Sequence, residues 1–273
     1  MLDTAIIGGG LCGLAVARHL QSRGREFSLF EARPRLGGRI LTGIGKKTGI
    51  AMDLGPAWFW PDRQPLMVQL VADLALQDFL QHDEGAVLHL RDADKNAERI
   101  HGNQVHSGAR RLEGGMATLI AAVARGLPHE RLHLSHVLTE VKDMADHVVL
   151  TFRTGDHFAQ IAAKRAVIAM PPRLVQEHVR FSPELDDATR TAMRDADTWM
   201  AAQAKVAISY DKPVWREAGQ SGNAFVTHEQ AVVGEIYDAC DMSGTKAALA
   251  GFVSLGPQLR KDFAAGLSVL FES

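Results

Sequence analysis

The first forty residues contain the feature that most constrains the fold, a short apolar strand that runs directly into a glycine-rich turn. The strand Thr4–Ile7 leads into Gly8-Gly9-Gly10-Leu11-Cys12-Gly13, a helix pattern follows, and Phe27–Phe30 form a second strand that ends at Glu31. Glu31 follows the turn at close to the roughly 20 residues expected of an acid that binds a ribose diol. A carboxylate there accepts hydrogen bonds from ribose hydroxyls and repels a 2′-phosphate. This order predicts a strand–helix–strand unit that binds a dinucleotide.

Three glycines of the turn have physical roles in such a unit. Gly8 permits the tight exit from the strand, Gly10 lets the backbone approach a pyrophosphate, and Gly13 lets the helix pack against the strand. The helix begins near Leu11 and Cys12, where free N–H groups and the positive end of the helix dipole favour phosphate. We expect the small Cys12 side chain to pack against neighbouring strands.

A second group of motifs follows the acid. The chain continues as Glu31-Ala32-Arg33-Pro34-Arg35-Leu36-Gly37-Gly38-Arg39, and Asp53-Leu54-Gly55-Pro56-Ala57-Trp58 comes soon after. A nicotinamide site does not need another glycine pair and three arginines beyond the ribose acid. Arginine forks and glycine backbone suit a longer cofactor that extends past the strand ends.

These two runs resemble the flavin-containing amine oxidase (monoamine oxidase-like) family, which carries E-A-R-x-R-x-G-G-R and then D-x-G-x-x-W. Further resemblances follow in the same order: Leu112–Met116, Ala166–Pro172, Gln203–Tyr210 and Pro213–Arg216. The resemblance implies FAD as the cofactor. It is expected to be noncovalent, because neither Cys12 nor Cys240 matches the cysteine that some members attach to flavin.

The resemblance also implies a set of cofactor-binding residues that spans both motif groups. In the family, the backbone of a valine at the position of Val137 contacts the adenine edge. The implied set is Gly8, Gly10, Leu11, Cys12, Gly13, Glu31, Ala32, Arg33, Gly38, Arg39, Gly55, Pro56, Ala57, Trp58, Val137 and Met170.

Lys205 is the candidate catalytic residue. In the family, a lysine at this strand position points at the flavin and holds a water against its N5 atom. A buried lysine there supplies positive charge, while the redox step itself belongs to the cofactor. The alternation of Val206 and Ile208 with Ala207 and Ser209 leaves open which way Lys205 faces, and a surface lysine on an edge strand is the alternative.

Composition narrows the remaining classes of function. The chain has 273 residues and a net charge of −2, which gives no electrostatic reason to expect nucleic acid or an anionic membrane as partner. No apolar run reaches the roughly 18 residues of a membrane span, and the first strand begins too early for a signal peptide, so we expect a cytoplasmic protein. Around His129, His133 and His136, the residues Leu132 and Leu134 alternate with polar neighbours as on a strand and not as on a helix that presents metal ligands, so no metal site is predicted.

The predicted fold class is α/β, with a Rossmann-like FAD-binding domain interleaved with a mixed α+β substrate domain. The split FAD domain comprises residues 1–78 and 112–172, and an incomplete substrate domain comprises 79–111 and 173–273. Ser182 is the expected N-cap of a helix that begins at Pro183. The family's C-terminal segment, which returns to the FAD domain, has no counterpart in this sequence.

The predicted function is FAD-dependent oxidation of a small amine to an imine with molecular oxygen as acceptor. This prediction allows for a homo-oligomer. One alternative is an oxidase of another substrate, a dihydronicotinamide or a polyene, on the same scaffold. Another is a truncated, non-catalytic nucleotide-binding module, which the absent C-terminal motif favours.

Overall fold

The computed structural model describes residues 1–256 and 258–262. Strands predominate, and short helices separate groups of them. In chain order they are β1 (Leu2–Ile7), α1 (Leu11–Ser22), β2 (Ser28–Phe30), β3 (Thr42–Ile44), β4 (Ala51–Asp53), α2 (Pro65–Asp73), β5 (Asp78–Leu80), β6 (Ala86–Leu90), β7 (Glu98–Ile100), β8 (Arg110–Leu112), α3 (Ala117–Arg125), β9 (Leu132–His133), β10 (Val137–Asp143), β11 (Val148–Thr154), β12 (His157–Ile168), α4 (Pro172–His178), β13 (Arg180–Ser182), α5 (Asp187–Asp195), β14 (Ala204–Tyr210), α6 (Val214–Glu217), β15 (Gln220–Val226), β16 (Val233–Asp238) and β17 (Ala247–Val253).

The chain divides into two compact units, and each is built from two separate segments. The first unit contains Met1–Ile40 and Leu119–Trp199, and the second contains Leu41–Thr118 and the described residues from Met200 onward. The domains predicted from the sequence differ in that they place residues 41–78 and 112–118 with the FAD domain and residues 173–199 with the substrate domain. Because those domains are defined by function, their assignment stays a prediction.

The first unit is a seven-stranded sheet in the order β13-β10-β11-β12-β1-β2-β9. Strand β1 pairs in parallel with both β2 and β12, and β2 pairs in parallel with β9. Strands β10, β11 and β12 are antiparallel. The sheet buries apolar side chains such as Ile7, Phe30, Leu150 and Phe152 in one cluster. Near-continuous apolar strands such as β1 are typical of parallel strands covered on both faces.

The second unit is organised around a six-stranded sheet in the order β14-β17-β16-β15-β6-β7. Strand β14 lies at one edge of this sheet and pairs antiparallel with β17. Two separate antiparallel pairs, β3 with β4 and β5 with β8, also belong to this unit. Its core includes Ile50, Met52, Tyr237 and Ala250. The mixture of parallel and antiparallel sheets with helices confirms the predicted α/β class.

Local predictions succeeded where the sequence pattern was strong. The sequence pattern predicts a strand over Ala86–Leu90 and a helix over Ala117–Arg125, which are present with these bounds as β6 and α3. It also predicts a helix over Pro65–Leu76, which is present as α2 and ends at Asp73. The helix start predicted at Ser182 is wrong, because Ser182 ends β13 and α5 begins at Asp187. The actual N-cap is Asp186, whose carboxylate accepts a hydrogen bond from the Thr189 amide at 2.8 Å. Asp186 directly precedes the first residue of α5 and therefore caps the helix in place of Ser182.

Among the described residues, no helix combines the length and apolar character needed to cross a bilayer.

Candidate functional site

The glycine turn of the first unit has the geometry that a dinucleotide site requires. Gly8 has a φ of 110°, and a Cβ added there would lie 2.6 Å from the Ala169 carbonyl oxygen. A Cβ on Gly13 would lie 1.9 Å from the Gly8 carbonyl oxygen, so only glycine lets α1 sit this close to β1. Helix geometry leaves the N–H groups of Leu11, Cys12 and Gly13 without intrahelical acceptors. The turn therefore presents an N-terminus that suits phosphate.

Glu31 is buried at the end of β2 and joins this turn to the following loop. Its carboxylate accepts hydrogen bonds from the Gly9 amide at 2.7 Å and from the Arg33 amide at 2.9 Å. A carboxylate has about four acceptor positions. Two bonds fix the orientation of Glu31, and the remaining lone pairs are available to ribose hydroxyls.

The arginines that follow Glu31 hold their own loop. Arg33 and Arg35 both donate to the Gly38 carbonyl oxygen, at 3.0 and 2.9 Å. The side chain of Arg39 donates to the Trp199 carbonyl oxygen at 3.0 Å. Gly38 has a φ of 57°, and an added Cβ would lie 3.2 Å from the Gly10 Cα atom. The two glycine segments are joined by a hydrogen bond from the Gly37 amide to the Gly9 carbonyl oxygen at 2.8 Å, and a cofactor could approach the backbone of Gly10 or Gly38 without displacing a side chain of either residue.

Four further residues of this unit are predicted to bind the cofactor. Val137 begins β10 and is half-buried, and Met170 follows β12, its Cγ 3.5 Å from a Cβ built on Gly8. Ala32 is exposed. Cys12 is exposed as well, so the expected packing of its side chain against neighbouring strands is wrong. As residue 2 of α1, its side chain points away from the buried face that contains Gly13 and Ala17.

The second unit contains the run that ends at Trp58. Its Gly55 is half-buried, Ala57 is buried and Pro56 is exposed. The Trp58 indole donates to the Gln81 side-chain oxygen at 2.8 Å. These residues form the loop that follows β4, and this loop contacts edge strand β14 of the six-stranded sheet through Gly55 and Lys205.

Lys205 faces inward from the edge strand β14, so it is not a surface lysine. Its ammonium donates to the Gly55 carbonyl oxygen and to the Tyr237 hydroxyl, both at 2.8 Å, with the Asp53 carbonyl oxygen at 3.5 Å. The rings of Trp58, Tyr237 and Phe252 surround it at 5.3, 5.0 and 5.0 Å from the ring centres. Three rings and two carbonyl dipoles stabilise a cation at this position.

Burial changes the acid–base behaviour of this group. Desolvation lowers the pKa of Lys205 to about 8, although the nearby Asp53 carboxylate opposes the change. Burial also raises the pKa of the Asp53 carboxyl above its ordinary value and raises the pKa of the Tyr237 hydroxyl. One carboxylate oxygen of Asp53 accepts from Thr42 and from the Met116 amide, which ties β3 and β4 to the Gly114-Gly115-Met116 turn.

A cavity of about 380 Å³ lies in the same unit. Its walls include aromatic rings, one imidazole and one carboxylate: the lining residues are Trp58, Trp60, Val105, His106, Met200, Gln203, Glu235 and Phe252. His106 stacks on Trp58 at 4.4 Å between ring centres. The Nε2 atom of His106 lies 3.7 Å from the Glu235 carboxylate, and its buried Nδ1 atom has no hydrogen-bond partner among the described residues. The cavity shares Trp58 and Phe252 with the surroundings of Lys205.

Sequence reasoning missed Tyr237, Glu235 and His106. Tyr237 and Glu235 are two positions apart on β16, and this spacing places them on the same face of the strand. Nothing in the sequence marked that face as part of a site. His106 lies in a loop between β7 and β8, where spacing predicts nothing.

Two of the three histidines considered as metal ligands contact an aromatic ring. His133 stacks on Phe30 at 4.7 Å, and His136 tilts against the same ring at 5.7 Å. Desolvation lowers the pKa of His133, with the nearby His136 acting in the same direction. No group of three or more possible metal ligands occurs in the part of the chain that is described.

The residues present fit a dinucleotide on structural grounds. An added Cβ at Gly8 or Gly13 would clash with a backbone oxygen atom, and the oriented carboxylate of Glu31 lies at the end of β2 beside this turn. This arrangement suits the adenosine and pyrophosphate portions of FAD.

Comparison with known proteins agrees with this geometry. The family model described as flavin containing amine oxidoreductase matches residues 11–102 and 90–265. Putrescine oxidase of Kocuria rosea is 24% identical over 356 aligned positions, which cover 92% of this chain and 73% of that protein. An L-amino-acid oxidase of Bungarus fasciatus is 33% identical over 97 residues, which cover 35% of this chain and 19% of that protein.

Solved structures resemble the fold over nearly the whole chain. Putrescine oxidase bound to putrescine superposes with a TM-score of 0.78 at 21% identity, covering 96% of this chain and 77% of that one. Cyclohexylamine oxidase of Brevibacterium oxydans gives a TM-score of 0.75 at 19% identity, covering 100% of this chain and 81% of that one. The two segments matched by the family model span most of the sequence, and the chain belongs to the flavin containing amine oxidoreductase family.

Proposed function

We propose that the chain is an FAD-dependent oxidoreductase that oxidises a small amine to an imine, with molecular oxygen as electron acceptor. Family membership implies a flavin cofactor. The observation that carries the proposal is Lys205, which lies at the family's lysine position with its ammonium bonded to Gly55 and Tyr237 and enclosed by three aromatic rings. The chemistry that bound flavin supplies is acceptance of a hydride from the carbon beside the amine nitrogen, followed by return of two electrons and two protons to oxygen as hydrogen peroxide.

The nucleotide portion of the site is proposed to be the glycine turn with Glu31. The N–H groups at the start of α1 would hold the pyrophosphate, and Glu31 would accept hydrogen bonds from the ribose hydroxyls. The other residues assigned by resemblance, from Ala32 to Arg39, Gly55 to Trp58, Val137 and Met170, are proposed as further FAD contacts. No covalent attachment is proposed.

Flavin retention tests this part of the proposal. The visible absorption spectrum of the purified chain would be recorded after addition of FAD and gel filtration, for wild type, Glu31→Gln and Glu26→Gln. Glu26 is exposed and carries the same substitution without touching the turn. We expect flavin absorbance with wild type and E26Q, and at least about tenfold weaker FAD binding with E31Q, because two charged hydrogen bonds to ribose are weakened. A colourless wild-type chain would favour the alternative of a module without catalysis.

The cavity beside Lys205 supports an amine over the other candidate substrates. The side chain of Glu235 supplies the carboxylate of this cavity, and the aromatic rings that line the cavity also attract cations. A dihydronicotinamide carries negative phosphates and a polyene carries no charge, so neither gains from this carboxylate. Putrescine oxidase is named for a diamine. We propose that the substrate is an amine with a second cationic group that pairs with Glu235.

A comparison of two amines of equal carbon length tests this assignment. Steady-state rates would be measured with 1,4-diaminobutane, n-butylamine and a reduced nicotinamide, using wild type, Glu235→Gln and Glu229→Gln. Glu229 is exposed in the turn before β16 and serves as the control. We expect E235Q to raise KM for the diamine on the order of tenfold, the effect of roughly 1.4 kcal/mol, and to leave the monoamine unchanged. Equal effects on both amines would contradict a role for Glu235 in binding the second cation.

A further inference from the structure

Lys205 makes one side-chain hydrogen bond to a residue that no motif identifies. Its ammonium donates to the Tyr237 hydroxyl at 2.8 Å, and the two residues lie on different strands of the second sheet. Tyr237 is 1% exposed and packs on Trp58 at 4.4 Å between ring centres. The Tyr237 ring is therefore fixed by packing on Trp58, and its hydroxyl is a fixed acceptor for the Lys205 ammonium.

We infer that Tyr237 is a positioning residue that fixes the Lys205 ammonium and keeps it charged, a role whose importance for catalysis rests on the proposed function. The other acceptors of Lys205 are backbone carbonyl groups of Asp53 and Gly55. Tyr237 is thus the one described side chain that hydrogen-bonds Lys205, and the part of the arrangement that substitution can remove.

The hydroxyl suits this task because it can serve either form of the lysine. It accepts from the ammonium, and after proton loss it can rotate and donate to the neutral amine. The bond to the charged form is about twice as strong as a neutral one, so the hydroxyl favours the ammonium. Burial raises the pKa of Tyr237, which keeps the phenol protonated over the range in which Lys205 titrates.

Other charges around Lys205 act in both directions. The carboxylates of Asp53 on β4 and Glu235 on β16 raise its pKa, whereas Arg111 on β8 lowers it. Desolvation outweighs the carboxylates, and the pKa settles at about 8. Because this pKa is only slightly above neutral pH, removal of a single hydrogen-bond acceptor is expected to change the fraction of Lys205 that is protonated near neutral pH.

The test is a direct titration of Lys205 that needs no cofactor. Lysine labelled with ¹³C at Cε would be followed by NMR across pH 6 to about 12 in the full chain, with Lys205→Met used to assign its signal. We expect a wild-type midpoint near 8 and a Tyr237→Phe midpoint lower by about one pH unit, since a hydrogen bond to a charged group is worth roughly 1.5 kcal/mol or more.

Tyr210→Phe is the matched control. The chain contains two tyrosines, and Tyr210 lies on the same strand as Lys205 but packs against Trp215. We expect Y210F to retain the wild-type midpoint. An unchanged midpoint in Y237F, or an equal change in Y210F, would overturn the inference.

A second variant keeps the test decisive if Y237F does not fold. In the Y210F background Tyr237 is the only tyrosine, so growth on 3-fluorotyrosine alters that residue alone. Fluorine weakens the hydroxyl as an acceptor while its shape is nearly preserved, and the midpoint is expected to fall by a smaller amount. An unchanged midpoint here would also overturn the inference.

Measurements of FAD binding and of flavin reoxidation distinguish this inference from the proposed function. If the chain binds FAD, the pH midpoint of flavin reoxidation by oxygen is expected to move with the Lys205 midpoint in Y237F. A lowered lysine midpoint in a chain that binds no FAD would refute the proposed function and leave the Tyr237–Lys205 interaction established.

Discussion

At the scale of single residues, Lys205 combines an unusual environment with a pKa near the physiological range. Its side chain lies among three aromatic rings and bonds to oxygen atoms of Gly55 and Tyr237. Because burial lowers its pKa to about 8, the ammonium predominates below pH 8 and the neutral amine above it. Any step that needs the positive charge is therefore expected to slow as the pH rises through about 8.

Substitution of this lysine should affect the oxygen reaction. With FAD bound and reduced, Lys205→Met is expected to slow reoxidation by oxygen on the order of 100-fold, the usual cost of losing one oriented electrostatic group. The wild-type rate should fall as the pH rises through about 8, and the K205M rate should not depend on pH in this range. Stopped-flow absorbance of the flavin measures both.

The control for that experiment is Lys212→Met, which removes an exposed lysine paired with Glu217 at 2.9 Å. It should leave the rate and its pH profile unchanged. If K205M and wild type were reoxidised at the same rate, Lys205 would have no role in the oxygen step.

At the scale of elements, the contact between α1 and β1 determines where the helix N-terminus lies. Gly13 is in the first turn of α1, where alanine would ordinarily stabilise the helix by about 1 kcal/mol relative to glycine. Here an added Cβ would lie 1.9 Å from the Gly8 carbonyl oxygen, and backbone would have to move. The steric term opposes the helix propensity at this position.

We expect the steric term to win in Gly13→Ala. The variant should lose about 1–3 kcal/mol in the free energy of unfolding, the usual cost of overpacking, and should bind FAD more weakly because α1 is displaced. Denaturant unfolding and FAD titration measure the two effects. Gly126→Ala is the control, since the nearest atom to its Cβ is 3.6 Å away and the residue is exposed. A G13A variant as stable as wild type would show that the helix contact tolerates a side chain.

Element boundaries show how neighbouring signals compete. Ser182 followed by proline is a reasonable helix start by local rules, yet Asp186 caps α5. Strand β13 occupies Ser182 because residues 180–182 pair in parallel with β10. Pairing with a distant strand thus moved the start of the helix by several residues.

At the scale of the whole molecule, two compact units each draw on two stretches of sequence. The nucleotide motif and Glu31 belong to the first unit, and Lys205, Tyr237, Glu235 and the cavity belong to the second. Membership of the flavin containing amine oxidoreductase family accounts for this interleaved order of motifs. Cytoplasmic location, homo-oligomer formation and the functional bounds of the domains stay predictions.

The sequence by itself determined the dinucleotide turn and the family. Gly8, Gly10, Gly13 and Glu31 could be assigned because their roles depend on backbone conformation and on short spacings along one strand–helix–strand unit. The order of motifs from Glu31 to Lys205 was sufficient to identify the resemblance that the family model confirms.

Only the tertiary structure decided what surrounds Lys205. Its acceptors Gly55 and Tyr237 are 150 and 32 residues away in sequence, and the alternation along β14 left both faces open. The same holds for His106 and Glu235, which meet across the cavity from a loop and a strand. The burial that lowers the pKa of Lys205 and the bond that holds it arise from contacts between distant segments, and local sequence patterns carry no information about such contacts.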